Sequence, residues 1–147
     1  MTDKKIVSIN SVMTMQCQWS VGKTVDKFLE SLSGGKITGV KCSGCGKVYA
    51  PPQQVCGDCF KVMEEWVELS GEGEVVNYTV AHVDVRNKPV DEPKVIGMIK
   101  LDGADTTLFG EIKGADSGSG LIGKKVKAVF RDKLKGSIRD ISHYEPV

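Results

Sequence analysis

Residues 42–59 read CSGCGKVYAPPQQVCGDC, two Cys-x-x-Cys pairs with ten residues between them. Four thiols this close can pair as disulfides, run redox chemistry or hold a metal. A zinc ion takes four soft ligands at tetrahedral corners, and two Cys-x-x-Cys hairpins joined by a loop supply them. Two residues between thiols let one tight turn bite the ion with both sulfurs. Gly46, directly after the first pair, frees the backbone so that amide N–H groups can point at the thiolates. The spacing therefore predicts Cys42, Cys45, Cys56 and Cys59 as ligands of a structural Zn²⁺. Iron stays open, because a tetrahedral cage of four sulfurs suits either metal. Thioredoxin-like chemistry normally uses one Cys-x-x-Cys at a helix start in an α/β frame, and that frame is missing here. Four protein ligands leave no open coordination position, so the ion is expected to brace the fold and not to activate water. Lys41, Lys47 and Lys61 are placed to offset the negative charge of the cage.

The rest of the composition is that of an ordinary domain or two small modules. The chain has 147 residues, 40% hydrophobic and 27% charged, with a net charge of +1. No apolar run approaches the roughly 20 residues that span a bilayer. The N-terminal stretch lacks the uninterrupted apolar segment of a secretory signal. A cytoplasmic location follows as the expectation, and its reducing poise disfavours disulfides. Five cysteines also cannot all pair within one chain; Cys17 is left over and reads as a small unpaired residue.

The elements that must position the cysteines can be read on either side of them. In TVDKFLESLSGG, Val25, Phe28, Leu29 and Leu32 share one face of a helix. Thr24 is expected to cap its start, and Gly34-Gly35 to supply the left-handed residue that ends it. Residues 1–23 show no period and read as an arm. After the cysteines the texture turns to β. WVELSGEGEVVNYTVAHVDV reads as one long strand bent at Gly71 and Gly73, and KVIGMIKL, TTLFGEI, KKVKAVFR and SIRDISHY as four more. Five strands in about 80 residues fit a small closed Greek-key barrel of the OB type.

Candidates for catalysis are few. The two histidines, His82 and His143, each stand at the end of a strand-like run, where a packed or exposed residue is the commoner outcome than a base. Glu64-Glu65 and Asp91-Glu92 read as solvated charge, and no nucleotide-binding glycine loop or nucleophile elbow occurs. Charge divides the chain into thirds. Residues 1–63 hold eight basic and four acidic side chains, residues 64–116 five and twelve, and residues 117–147 seven and three. A free-standing binder of single-stranded nucleic acid is the alternative function for such modules. The middle third, where an OB barrel would bind, is acidic and has Phe109 as its only aromatic along strands two and three. The basic residues Lys124, Lys125, Lys127, Arg131, Lys133, Lys135 and Arg139 lie in the last two strands, as a solvated face or a patch for phosphates or an acidic partner.

The order of parts is more specific than any one of them. FLESLSGGKITGVKCSGCGKVYAPPQQVCGDCF, then SGEGEVVNYTVAH, EPKVIGMIKLDGADTTLFGEI and IGKKVKAVF, resembles the acyl-CoA-associated zinc-ribbon/OB-fold family, across roughly residues 19 to 145. The resemblance implies an N-terminal arm and helix over 1–35, a rubredoxin-like zinc ribbon over 36–63 and an OB-fold barrel over 64–147. It implies a companion subunit of a thiolase-like catalytic subunit, which supplies the catalytic cysteine and histidines while the companion helps hold CoA or acyl-CoA. The family's metal ligands carry over to Cys42, Cys45, Cys56 and Cys59; no motif carries over individual CoA contacts or a catalytic residue. The size suits a companion of a thiolase of anaerobic aromatic degradation, such as one cleaving benzoylsuccinyl-CoA.

Overall fold

The computed structural model describes residues 14–18, 20–84, 86–115 and 120–147. Most of the expected N-terminal arm, with Ile6, Val7, Val12, Met13 and Trp19, lies outside these residues. Helix α1 spans Gly22–Ser33 and buries Phe28 and Leu32, as the stripe requires, with Val25 left exposed at its edge. It starts two residues before the expected cap, so Thr24 sits in its first turn and Val21 precedes it without a side-chain bond. Gly35 takes φ +72° and ends the helix, and the Lys36 N–H reaches back to the Ser31 carbonyl at 3.1 Å.

Two β-structures follow. Strands β1 (Ile37–Lys41), β2 (Val48–Tyr49) and β3 (Glu65–Leu69) form an antiparallel sheet in the order β2-β1-β3. Strands β4 (Glu72–Val83), β5 (Pro89–Leu101), β6 (Thr107–Ile112), β7 (Lys125–Phe130) and β8 (Ile141–Pro146) close a barrel in the order β4-β5-β6-β8-β7. That is the strand order of a five-stranded Greek-key barrel, with β6 and β8 meeting in parallel at Ile112 and Tyr144.

The long first strand of the sequence reading is in fact two. The chain breaks at Gly71, which is buried at φ +79° with its Cβ position 3.6 Å from Ala128 and 3.7 Å from Ile37. Residues before the break pair with β1, and residues after it enter the barrel. SIRDISHY also departs from expectation. Ile138–Asp140 form a 3-10 turn, because Ser137 and Asp140 cap one another's backbone, and β8 begins only at Ile141. The buried Asp140 carboxylate accepts N–H groups from Lys135, Gly136 and Ser137 at 3.0, 2.8 and 3.1 Å. Burial alone would push this carboxyl up, but the three donors outweigh it and hold it below its ordinary value.

One apolar core runs through all three parts. Phe28 and Leu32 of α1, Ile37 of β1 and Leu69 of β3 cluster with Val75, Ile99, Leu101, Leu108, Ile112, Val126 and Tyr144 of the barrel. A polar seam reinforces it where β2 meets the β5–β6 turn. The Val48 N–H donates to Asp105 Oδ2 at 2.8 Å, and the Asp105 N–H returns to the Val48 carbonyl at 2.8 Å. The Ala50 N–H donates to Thr106 Oγ1 at 2.7 Å, and that hydroxyl donates back to the Ala50 carbonyl at 2.8 Å.

Inside the barrel, Gly97 and Gly110 face each other across β5 and β6, Gly97 leaving room for the Ile112 side chain and Gly110 for the Tyr144 ring. A Cβ at Gly110 would lie 2.6 Å from Tyr144 Cδ2, whose ring is fully buried and has no slack. Gly110→Ala is therefore expected to destabilise the chain by about 1–3 kcal/mol. Urea unfolding should show a lower midpoint at unchanged slope.

Candidate metal centre

Each Cys-x-x-Cys pair forms a knuckle of the same shape. In the first, the Gly46 N–H bonds the Cys42 carbonyl at 2.9 Å and the Cys42 N–H bonds the Lys47 carbonyl at 2.8 Å. In the second, the Phe60 N–H bonds the Cys56 carbonyl at 3.1 Å and the Cys56 N–H bonds the Lys61 carbonyl at 2.9 Å. The residue after each pair stands at positive φ, +77° at Gly46 and +58° at Phe60. β2 leads out of the first knuckle, and Val55 bridges to Val62 across the second.

These turns bring all four sulfurs within 4.8 Å of one another. Cys42 and Cys59 stand 3.3 Å apart, and Cys45 and Cys56 3.5 Å. Sulfurs at tetrahedral corners about 2.3 Å from a zinc ion would be separated by about 3.8 Å, so the cluster fits the ion. The Gly44 N–H points at Cys42 Sγ at 3.3 Å. Tyr49 Oη lies 3.5 Å from Cys56 Sγ and donates to Asp58 Oδ2 at 2.7 Å, while Lys47 pairs with Asp58 Oδ1 at 3.0 Å. This second layer orients the thiolate side of the site. Lys41 is drawn away to Glu65 at 3.6 Å, so of the three lysines expected to offset the cage, two are engaged by carboxylates.

The thiols are not equivalent before a metal arrives. The Tyr49 hydroxyl, then the Cys59 and Asp58 N–H groups, favour the Cys56 thiolate and hold it at about 6. The Lys47 N–H pulls Cys45 down, but burial and the neighbouring thiols outweigh it and push it up to about 11. At Cys59 the Lys61 N–H is likewise outweighed by the Cys42 thiol and by burial, and the group ends above its ordinary 9.0. Zinc would bind all four as thiolates and supply charge and rigidity, with no ligand position left for a substrate.

The other candidates are scattered. His82 is exposed on β4. His143 contacts Ser142 Oγ at 3.1 Å and Glu145 Oε1 at 2.9 Å, a set of partners the sequence reading missed. All three lie on β8. Cys17 is exposed and far in sequence from the cluster. Of the basic residues near the C-terminus, Lys125 pairs with Asp102 at 2.6 Å and Lys127 with Glu72 at 3.2 Å, which folds the acidic middle third against them. Phe109 stands exposed on β6 opposite Met98 of β5.

Comparison with known proteins agrees with this geometry. A model of the ChsH2 rubredoxin-like zinc ribbon domain matches residues 31–62, and one of the ChsH2 C-terminal OB-fold domain matches residues 66–131. A DUF35 domain-containing scaffold protein of Methanocaldococcus jannaschii is 39% identical over 97 residues, covering 65% of this chain and 67% of the relative. The chain belongs to the DUF35 family. A second DUF35 scaffold protein, from Methanothermobacter thermautotrophicus, is 34% identical over 102 residues, covering 65% of this chain and 71% of that one. Among solved structures, a DUF35 protein of unknown function from Sulfolobus solfataricus superimposes with a TM-score of 0.65 at 25% identity, over 85% of this chain and 84% of that one. A chain of the Ltp2-ChsH2(DUF35) aldolase shares the fold, with a TM-score of 0.61 at 21% identity over 88% of this chain and 98% of that one. In the DUF35 chain described here, as the sequence leads one to expect, the structure is mainly strands with one helix near the N-terminus, and a four-cysteine zinc ribbon precedes a closed five-stranded barrel. No described helix is long and apolar enough to cross a membrane.

Two measurements check the metal centre. Cys56→Ser should lose the metal and the ordered ribbon together, read as zinc content and circular dichroism, because binding energy here is folding energy. Zinc titration of the apo chain at about pH 7.5 should release roughly two or more protons per ion, one each from Cys45 and Cys59. Calorimetry in buffers of different ionisation enthalpy would count them.

Proposed function

We propose that this chain is the non-catalytic, zinc-bearing scaffold subunit of a thiolase-type acyl-CoA complex. Zn²⁺ at Cys42, Cys45, Cys56 and Cys59 braces the ribbon, the ribbon and α1 dock on the catalytic subunit, and the barrel helps shape the path of CoA. The observation that carries this reading is the closed cage of four sulfurs, which commits the clustered nucleophiles of the chain to structure. Relatives named as scaffold proteins support it, as does the fold shared with a chain of an aldolase assembly. The barrel offers apolar surface at Ile96 and Phe109 for an acyl or pantetheine chain. Arg131, Lys133, Lys135 and Arg139, which have no ion pair among the described residues, stand in or beside the β7–β8 loop as partners for phosphates.

A thiolase-type subunit expressed with this chain should co-purify with it in fixed stoichiometry and show CoA-dependent thiolysis that neither part shows alone. Separate migration of the two at micromolar concentration would sink the proposal.

A further inference from the structure

The two knuckles share one backbone path, yet they differ at the residue that turns at positive φ. The first uses glycine, which adopts +77° freely; the second uses phenylalanine at +58°. A bulky residue in that region is strained, and persists where something else holds it there. The knuckle's own backbone bonds, Phe60 N–H to the Cys56 carbonyl and Cys56 N–H to the Lys61 carbonyl, hold that turn, but they do not call for an aromatic there, and the Phe60 side chain is 79% exposed. Beside it lie Val62, 57% exposed, and Val55, its bridge partner, 42% exposed. Together they form an exposed apolar tip at the second knuckle of the zinc ribbon.

Around the tip the one carboxylate of the knuckle, Asp58, is paired with Lys47 at 3.0 Å, and the nearby lysines outnumber the remaining acidic groups. Val62 lines a groove with Lys23 and Lys27 of α1 and with Trp66, whose ring lies 4.6 Å below the Lys27 ammonium. Lys61 follows Phe60 directly, and neither it nor Lys23 has an ion pair among the described residues. Glu64 is the one carboxylate among the groove residues. A second copy fits this surface poorly. Tip against tip would bring like charges together, and tip against the acidic part of the barrel would be a head-to-tail contact that does not close on itself.

We infer that Phe60 is the anchor by which the ribbon tip seats in an apolar, acid-rimmed socket on the catalytic subunit. The inference rests on the scaffold reading above and adds the residue and the chemistry of the socket. A central aromatic with a charged rim is the usual form of a protein–protein hot spot.

Phe60→Gly separates anchor from architecture, since glycine is what the twin knuckle already uses. The variant should bind one zinc per chain and unfold no lower in temperature than the parent, yet bind the thiolase-type subunit at least about tenfold more weakly. Phe60→Asn, also tolerant of positive φ, should behave alike; Phe60→Leu, which keeps apolar bulk, should lose less. Lys23→Glu should slow association and flatten its salt dependence. Equal affinity of parent and Phe60→Asn, with zinc intact, overturns the anchor and leaves the scaffold reading standing. No complex from the parent chain overturns both. Phe60-dependent self-association in light scattering, or Phe60-dependent pelleting with phosphatidylserine vesicles, would assign the tip to another occupant and overturn the inference.

Discussion

The structure depends on holding four sulfurs within one coordination sphere. Beyond the shared core that takes in Ile37, Ala50 and Leu69, the ribbon's own cluster is Val40, Cys42, Tyr49, Cys56 and Met63, and two of those five are cysteines. The two knuckles bury little apolar surface of their own to offset the entropy of their turns, so a metal held by the four sulfurs would take the place of a core there. Fixing the sulfurs fixes the two knuckles, and the first knuckle fixes β2. β2 is the strand whose edge bonds to Asp105 and Thr106, so the position of the cage is passed directly to the barrel.

On the other side of that seam, the barrel is built from close approach. Gly73, Gly97 and Gly110 remove side chains where the β5 backbone, the Ile112 side chain and the Tyr144 ring, respectively, come too near for a Cβ. The acidic stretch that makes the middle third look repellent to polyanions is spent locally, with Glu72 and Asp102 holding Lys127 and Lys125. Such exposed pairs contribute little stability, about 0–1 kcal/mol each, but they remove the two lysines most naturally assigned to a phosphate patch. Among the described residues Lys124 and the basic side chains from Arg131 to Arg139 have no ion pair, and the loop that carries the latter packs against α1.

Much of this was legible beforehand. The Cys-x-x-Cys spacing named the four sulfurs, the 3.6-residue stripe named Phe28 and Leu32, and Gly35 ended the helix as glycine does. The failures have common physics. The bend at Gly71 was visible as a glycine, but local sequence cannot say that the two halves of one β-rich run belong to different sheets; that is decided by pairing with β1 and β7. Ser137 and Asp140 satisfied one another's backbone and delayed β8, a contest between side-chain capping and strand pairing that propensity alone scores wrongly. Phe60 carried no sequence signal by itself. Its meaning appeared only when the second knuckle was laid on the first and a phenylalanine was found where the twin has glycine.

The unbroken core from Phe28 to Tyr144 has one last consequence. A chain of two modules joined by a linker would let each end wander. Here the tip of the ribbon and the outer wall of the barrel are two marks on one ruler. A ligand gripped at one mark is presented at a preset angle to whatever is held at the other, without the entropic toll of a swinging joint.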